Sequence, residues 1–410
     1  MDTSNLKDCL DSLFERFMAE SSIFINKDVL SHDFIPEVLP HREKEIFRLA
    51  SILAPSLKGE KCSNLFIYGK TGTGKTAVSK YVLARLEKKS LKLQGRVKVC
   101  YVNCRLAGTE YRVTASLCSA LSLQIPFTGL STAEVLNRLF KRLSQLGVYL
   151  VVVLDEVDEL VKGYGDRLLY ELTRSNSLLS KGKISLVGIS NDLYFKELLD
   201  PRVLSSLSEE EIVFKPYTAS QIKDILLQRA KMAFKPGSLP LSTLNLCAAL
   251  AASEHGDARR ALDLLRVAGE IAEREGATKV EERHVHEAQR KIEHDRTVEV
   301  LASLPLHSKI LLAVLYFNGK PKLKGLTTGE LYEGYVSLCR KAQVEPLTHR
   351  RVSGLLSELD MLGVVEARLV SLGRYGRTKK IQLKIPKKTL EKAFLEDVYF
   401  ASLTENGELA

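Results

Sequence analysis

Residues 69–76 read Gly69-Lys70-Thr71-Gly72-Thr73-Gly74-Lys75-Thr76, which fits the pattern G-x-x-x-x-G-K-[ST] of loops that bind nucleoside triphosphates. The apolar run 64–68 before it predicts a short buried strand, and residues 77–86 after it predict an amphipathic helix. In such a unit the glycines let backbone N–H groups point at phosphate oxygens, and the start of the helix adds a partial positive charge. The stretch therefore predicts a phosphate-binding site.

The side chains of this loop have separate predicted tasks. Lys75 would contact the β- and γ-phosphates, and the Thr76 hydroxyl would bind Mg²⁺. The remaining positions would surround the nucleotide: Gly69, Lys70, Thr71, Gly72, Thr73, Gly74 and Ala77.

A second motif lies at 151–156, where Val-Val-Val-Leu is followed by Asp155 and Glu156. Four consecutive apolar residues predict a buried parallel strand. Two acidic residues at the end of such a strand are not expected to belong to the apolar core, because buried carboxylates need partners. Asp155 is therefore expected to hold Mg²⁺ through water, and Glu156 to orient or deprotonate the attacking water.

Three further polar residues follow where a nucleotide site could use them. Asn191 comes after the strand-like run 184–189, and its amide could hold the γ-phosphate or the attacking water, although capping a turn is the alternative. Arg202 follows a turn marked by a proline. Arg259 stands at the start of a helix, where the helix dipole disfavours a cation. This placement is easier to explain when an anion lies nearby.

The net charge of +10 is concentrated near the C-terminus. Residues 300–395 contain 17 Lys and Arg against 7 Asp and Glu, so this segment carries the whole excess. A basic segment on an otherwise neutral chain indicates a polyanionic partner, with a solvated basic surface as the alternative. The seven cysteines are scattered without a C-x-x-C pair, as in reduced intracellular proteins.

The same segment has the pattern of a winged helix. Helical runs at 304–316, 328–340 and 348–362 precede two strand-like runs, 364–370 and 380–385, that are joined by a basic tip at 371–378. The third helix and the tip would meet DNA through Thr348, His349, Arg350, Arg351, Arg374, Tyr375, Gly376, Arg377 and Lys379. Winged helices also bind proteins, but the charge excess favours DNA.

An extra helical insertion is predicted between the strand 97–102 and the acidic motif, because a plain crossover needs one helix and residues 103–147 hold two helical runs. Arg138 and Arg142 lie on the second run. They could reach DNA, and they could equally form a solvated helix face.

The motifs together resemble the AAA+ ATPases, and more closely the archaeal initiators related to the eukaryotic origin-recognition complex and its cell-division-control partner. The glycine loop, the Asp-Glu motif, Ser-Asn at 190–191, Asp-Pro-Arg-Val at 200–203 and Gly-Asp-Ala-Arg at 256–259 follow in that family's order. The segment 39–43, Leu-Pro-His-Arg-Glu, is similar to the one that lies against adenine. Phe-Lys-Pro-Tyr at 214–217, with Arg229 beyond it, is similar to the entry into the family's lid.

The resemblance implies roles for these positions. Asn191 and Arg259 would be the two sensor residues, and Arg202 the arginine finger that acts on a neighbouring subunit's ATP. Contacts with the nucleotide would also come from Leu39, His41, Arg42, Tyr217 and Arg229.

The resemblance also implies an architecture and a function. The fold would be α/β, with a parallel-sheet AAA+ domain, a helical lid and a C-terminal winged helix. We expect an N-terminal helical segment at 1–20, a base at 21–216, a lid at 217–296, a winged helix at 297–400 and a tail at 401–410. The protein would be a replication initiator that binds origin duplex DNA, using ATP or ADP with Mg²⁺ as a switch through slow hydrolysis.

Its partners would be other initiator subunits and the replicative helicase. A sequence-tolerant helicase loader and an ATP-regulated transcription factor remain alternatives, and a DNA-translocating motor is weaker because helicase motifs beyond the two nucleotide motifs are missing from the sequence. Since we find no signal peptide and no apolar run of roughly 18–20 residues, we expect a cytoplasmic, nucleoid-associated protein without a membrane partner.

Overall fold

The computed structural model describes residues 23–93, 96–126, 128–207, 209–253, 256–318, 325–371 and 377–395 of the 410-residue chain. The chain divides into two compact units, Met1–His286 and Glu287–Ala410, and the division falls within one long helix, Glu282–Ser303. Each unit has its own apolar core.

The first unit is built on a five-stranded parallel sheet with the order β2-β3-β4-β1-β5. Every residue of the third strand is buried, as expected for a strand covered on both faces. The four predicted strands are confirmed with these bounds: β1 (Asn64–Tyr68), β2 (Val97–Asn103), β3 (Tyr149–Asp155) and β4 (Lys183–Ser190). A fifth strand, β5 (Glu209–Val213), was not predicted.

Helices cover both faces of this sheet. Successive side chains of a strand point to opposite faces, so each strand contributes to two cores. Leu65 and Ile67 join a core formed with α1 and α2, whereas Phe66 and Tyr68 join a core formed with α4 to α8. The helices are α1 (Glu43–Leu53), α2 (Lys75–Lys92), α3 (Cys104–Ala107), α4 (Glu110–Ala120), α5 (Thr132–Leu146), α6 (Val157–Tyr164), α7 (Arg167–Arg174) and α8 (Pro201–Leu207). The insertion predicted between β2 and β3 consists of α3, α4 and α5.

The helical lid follows, with α9 (Ala219–Ala233), α10 (Leu241–Ser253), α11 (Ala258–Glu275) and the beginning of α12 (Glu282–Ser303). Residues 23–34 pack against this lid, although the predicted boundaries place them with the base. Phe24 pairs with Phe234 at the end of α9. A Cβ on Gly269 of α11 would lie 2.3 Å from the ring of Phe24. The segment precedes the base in sequence but buries its apolar side chains against the lid.

The second unit contains the predicted three helices and hairpin. Its elements are α13 (Leu306–Asn318), β6 (Leu326–Thr327), α14 (Thr328–Lys341), α15 (His349–Met361), β7 (Val365–Ser371), β8 (Arg377–Leu383) and α16 (Lys387–Leu395). The strands form an antiparallel sheet in the order β6-β8-β7. Sequence analysis missed β6, which is too short to show alternation, and α16.

The predicted tip residues Arg374, Tyr375 and Gly376 lie outside the described residues, as do the N-terminal segment 1–20 and the tail 401–410. Among the described helices, none combines the length and the apolar composition that a membrane crossing requires.

Candidate functional site

The loop between β1 and α2 folds around its own lysine. Lys75 is the first residue of α2, and its ammonium donates to the carbonyls of Gly69 (2.6 Å) and Lys70 (2.8 Å) and to Oδ1 of Asn191 (2.9 Å). Burial lowers the pKa of Lys75 to about 8, while the Asp155 carboxylate acts in the opposite direction. The predicted phosphate lysine and the predicted amide at the end of β4 are thus in direct contact.

Two glycines of the loop have a backbone conformation that L side chains rarely adopt, with φ of 69° at Gly72 and 90° at Gly74. They also lack room for a side chain. A Cβ on Gly74 would lie 2.7 Å from the hydroxyl of Tyr217, and one on Gly72 would lie 1.7 Å from the carboxylate of Asp257. Glycine is therefore required both by the turn and by the lid residues that lie against it.

Asp155 ends β3 and is buried among hydrogen-bond donors. Its Oδ2 accepts from the hydroxyl of Thr76 (2.9 Å) and from that of Tyr101, and its Oδ1 accepts from the backbone N–H of Glu156 (3.0 Å). Burial, followed by the negative charge of Asp155, raises the pKa of Tyr101, so its hydroxyl stays protonated and donates.

One small cavity at the carboxyl ends of the strands collects most of the predicted catalytic residues. It is lined by Gly72, Thr73, Gly74, Lys75, Thr76, Asp155, Glu156, Asn191 and Arg259. Five of the six predicted catalytic side chains therefore share one site. The sixth, Arg202, is exposed on α8, as a residue must be to act on a neighbouring molecule.

The start of α11 lies directly on the glycine loop. The side chain of Asp257 accepts from the backbone N–H groups of Arg259 (2.8 Å) and Arg260 (3.3 Å), and so caps the helix. The N–H of Ala258 donates to the carbonyl of Gly72 at 3.2 Å. This cap places Arg259 at the cavity and joins lid to base.

Arg42 is buried behind the loop. Its guanidinium donates to the carbonyls of Thr73 (2.9 Å) and Lys215 (2.6 Å), and it lies 3.9 Å from the ring centroid of Tyr217. The resemblance implied that Arg42 contacts the nucleotide. In the structure its donors bind the loop and the connection into the lid, and the contact with the nucleotide stays a prediction.

A larger cavity of about 230 Å³ adjoins the small one, and Gly72, Gly74, Thr76 and Arg259 line both. Its walls come from residues 31–40, α2, α9 and α11. They include the apolar side chains of Phe34, Ile35, Leu39, Ile225 and Leu262. An apolar pocket that continues from a phosphate loop suits the base of a nucleotide.

The other predicted nucleotide-contacting residues are distributed unevenly around this larger cavity. Leu39, Ala77 and Tyr217 line it, whereas His41 is hydrogen-bonded to Asp224 (2.8 Å). Arg229 also lines it, but its guanidinium donates to the carbonyls of Val29 and Phe34, both at 3.0 Å. Arg229 thus fixes the segment that forms the cavity wall, and its contact with the nucleotide stays a prediction.

The insertion arginines have different environments. Arg138 is exposed and paired with Glu134 (2.8 Å) along α5, while the half-buried Arg142 donates to the carbonyl of Leu121 (3.4 Å) at the end of α4. Arg142 therefore helps to hold the two insertion helices together.

In the second unit, the predicted DNA-contacting residues lie at the start of α15 and on β8. Thr348 is the N-cap of α15 without a side-chain capping bond, and His349, Arg350 and Arg351 are exposed on its first turn. His349 and Lys379 line a cavity between α14, α15 and the hairpin.

Sequence reasoning missed two residues that contact the predicted phosphate site. Asp257 was visible as part of Gly-Asp-Ala-Arg and as a helix cap, but nothing local showed that it meets Gly72. Tyr101 alternates along β2 like any strand residue, and only the strand order brings its hydroxyl to Asp155.

Comparison with known families agrees with this architecture. Residues 58–194 match the AAA domain family, residues 223–290 the Cdc6 AAA+ ATPase-type lid domain, and residues 299–393 the CDC6 C-terminal winged helix domain. The fold and the site therefore define an AAA+ ATPase with a Cdc6-type lid and a winged helix.

Whole-chain relatives narrow this class. The chain is 55% identical over 383 residues to an ORC1-type DNA replication protein of Thermococcus kodakarensis, which covers 92% of each chain. It is 51% identical to ORC1-type DNA replication protein 1 of Archaeoglobus fulgidus, over 97% of each. The structure of the Aeropyrum pernix ORC1 protein in complex with DNA is 52% identical, with a TM-score of 0.81 over 94% of this chain and 100% of that one. The chain belongs to the family of ORC1-type DNA replication proteins.

Proposed function

We propose that this protein is an ATP-regulated replication initiator that binds origin duplex DNA and uses ATP binding and slow hydrolysis as a conformational switch. The observation that carries the nucleotide part is the small cavity at which Lys75, Asp155, Glu156, Asn191 and Arg259 meet. Support for the DNA part comes from the Aeropyrum pernix relative, which was solved in complex with DNA. The exposed basic start of α15 supports it as well.

The donor set fits ATP with Mg²⁺. A buried ammonium, backbone N–H groups and Arg259 are ligands for phosphate, whereas the Thr76 hydroxyl and the Asp155 carboxylate are the hard oxygens that Mg²⁺ prefers. No group of three or more His, Cys, Asp or Glu in the described part of the chain could hold a metal ion. This suits a cation held by one carboxylate together with substrate phosphates. Mg²⁺, when bound, would neutralise charge on the β- and γ-phosphates.

The protein's own side chains would bind the phosphates, orient the reacting groups and accept the proton. Lys75 and Arg259 would hold the phosphates, Asn191 would orient the γ-phosphate or the attacking water, and Glu156 would accept a proton from that water. Arg202, exposed on α8, would act on ATP in a neighbouring subunit.

The switch would work through the contact between the lid and the glycine loop. Lys75 now donates to Asn191, and phosphate would compete for that ammonium. Since Arg259 belongs to the lid and Lys75 to the base, a γ-phosphate held by both would bias the base–lid angle. Hydrolysis removes that shared ligand, so slow turnover suffices for a change of state.

We further propose the domain division 21–216, 217–296 and 297–400, with residues 23–34 packing on the lid. Other initiator subunits and the replicative helicase would be the partners. DNA contacts would come from the start of α15, from the hairpin tip and from the insertion.

The experiment is footprinting of the purified full-length Glu156→Gln protein, with ATP, on fragments of its host chromosome. A few sharp sites that share a repeat, near where replication begins, are the expected result. Diffuse, salt-sensitive coverage would instead support a loader without sequence preference, and promoter sites without origin sites would support a transcription factor. Lys75→Ala protein with ATP is the control for the effect of nucleotide on the pattern.

A further inference from the structure

Tyr101 is placed by the sheet to reach Asp155 from the neighbouring strand. In the parallel pairing of β2 with β3, Tyr101 lies opposite Val153 and Asn103 lies opposite Asp155. Tyr101 and Asp155 point to the same face as Val153, because strand side chains alternate. The long phenol side chain therefore spans the two-residue offset and brings its hydroxyl to Oδ2 of Asp155.

The three donors to Asp155 differ in what else they must do. The backbone N–H of Glu156 belongs to the turn after β3. The Thr76 hydroxyl has the second task, proposed above, of offering its oxygen to Mg²⁺, which its donation to Asp155 permits. The Tyr101 hydroxyl also lies within hydrogen-bonding reach of Thr76, but no cation contact is assigned to it. In its protonated form it donates to the negative carboxylate and holds that carboxylate in place.

The ring of Tyr101 is held independently of its hydroxyl. The ammonium of Lys80 on α2 lies 4.9 Å from the ring centroid, and the half-buried ring packs beside the core shared by α2 and the sheet. Removal of the hydroxyl alone would thus leave the ring and its packing in place. The hydroxyl is separable from the fold.

We propose that the Tyr101 hydroxyl is a positioning group, which fixes the Asp155 carboxylate so that its remaining lone pairs face the divalent cation bound with ATP. This inference rests on the proposed nucleotide function and deepens it. Outer partners that orient a metal-binding carboxylate change metal affinity rather than the affinity for the ligand alone. The expected signature is therefore a change in the requirement for Mg²⁺.

The test is Tyr101→Phe in the full-length protein. A fluorescent, non-hydrolysable ATP analogue is bound first in EDTA and then during titration with MgCl₂, and thermal unfolding is recorded without nucleotide. We expect the half-saturating Mg²⁺ concentration to rise roughly ten-fold. The affinity in EDTA and the unfolding temperature should remain those of the unmodified protein.

Tyr81→Phe is the matched control, because Tyr81 lies on α2 and also has a cation over its ring, Arg85 at 4.6 Å. It should leave the Mg²⁺ requirement unchanged. In an Asp155→Asn background, Tyr101→Phe should have little further effect, since the two residues act through one contact.

An unchanged Mg²⁺ requirement in Tyr101→Phe would overturn the positioning role, as would an equal loss of affinity in EDTA. Both outcomes leave the proposed nucleotide function intact. Failure of the unmodified protein to bind the analogue with Mg²⁺ would instead overturn the proposed function, and this inference with it.

Discussion

Asp257 and Gly72 are in such close contact that a Cβ atom on the glycine would lie 1.7 Å from Oδ1 of the aspartate. The aspartate caps the lid helix α11, and the next residue, Ala258, donates its N–H to the carbonyl of the same glycine. The phosphate loop and the first turn of the lid are thus one packed unit. Any ligand that moves the loop must also act on the lid.

This contact predicts that Gly72→Ala is more damaging than an ordinary glycine substitution. The new methyl group would have to displace Asp257, so we expect a lower unfolding temperature and a loss of Mg²⁺–ATP affinity. The matched control is Gly108→Ala, since Gly108 has a similar φ of 72° but nothing within 4 Å of its Cβ position. That variant should show only the backbone cost of about 1–2 kcal/mol and normal nucleotide binding. Equal effects of the two variants would contradict the proposed coupling.

Arg42→Lys should destabilise the first unit, because a lysine cannot reproduce a planar guanidinium that donates to Thr73 and Lys215 while stacking on Tyr217. We expect a loss of about 2–4 kcal/mol from two charged hydrogen bonds and a cation–π contact. Denaturant unfolding measures this loss. Arg48→Lys, at an exposed position of the helix α1 that follows Arg42, should change little.

The lowered pKa of Lys75 predicts proton uptake when ATP binds. Its folded-state pKa, about 8, lies below the ordinary 10.5, so the folded protein releases this proton first as the pH rises. The charged form therefore destabilises the fold below pH 8, and this penalty is relieved as the pH rises from about 8 to 10.5. Phosphate favours the ammonium and raises its pKa again.

Calorimetric titration with ATP in buffers of different ionisation enthalpy should therefore show proton uptake at about pH 8.5 and little at about pH 7. Uptake that is the same at both pH values would argue against Lys75 as the titrating group.

Substitutions at the phosphate site should separate binding from hydrolysis. Lys75→Ala should abolish ATP binding, because it removes the buried cation. Glu156→Gln should bind ATP normally and lose turnover, since an amide cannot accept the proton of the attacking water. Phosphate release and equilibrium binding measure the two effects. Normal turnover in Glu156→Gln would refute the catalytic assignment.

The winged helix should contribute salt-dependent affinity for duplex DNA. Arg350→Ala with Arg351→Ala, or Arg374→Ala with Arg377→Ala, should weaken binding and reduce the salt slope by about 2, if each arginine neutralises one phosphate. Lys387→Ala with Lys392→Ala removes the same charge from α16 and is the control. If the control pair lowers the slope equally, the contact surface lies elsewhere in this unit.

Much of the architecture could be predicted from the sequence, because its signals are short-range. Around 64–76 and 151–156, a short apolar run is followed directly by polar motif residues, which predicts a buried strand with a basic or an acidic residue near its end. Parallel strands bring such ends to one edge of the sheet. The same holds for α14, α15 and the hairpin, whose periodicity is local. What could not be predicted depends on partners far apart in the chain.

The sequence by itself thus determined the class of fold and the five side chains that share the nucleotide cavity. Only the tertiary structure decided that residues 23–34 pack on the lid, that the guanidinium groups of Arg42 and Arg229 donate to backbone carbonyls, and that Tyr101 and Asp257 contact residues of the small cavity. The physical reason is that a motif specifies backbone geometry and donor type over only a few residues. A buried polar group, in contrast, forms a hydrogen bond with an acceptor that the folded chain brings within reach, and that acceptor can lie far away in the sequence.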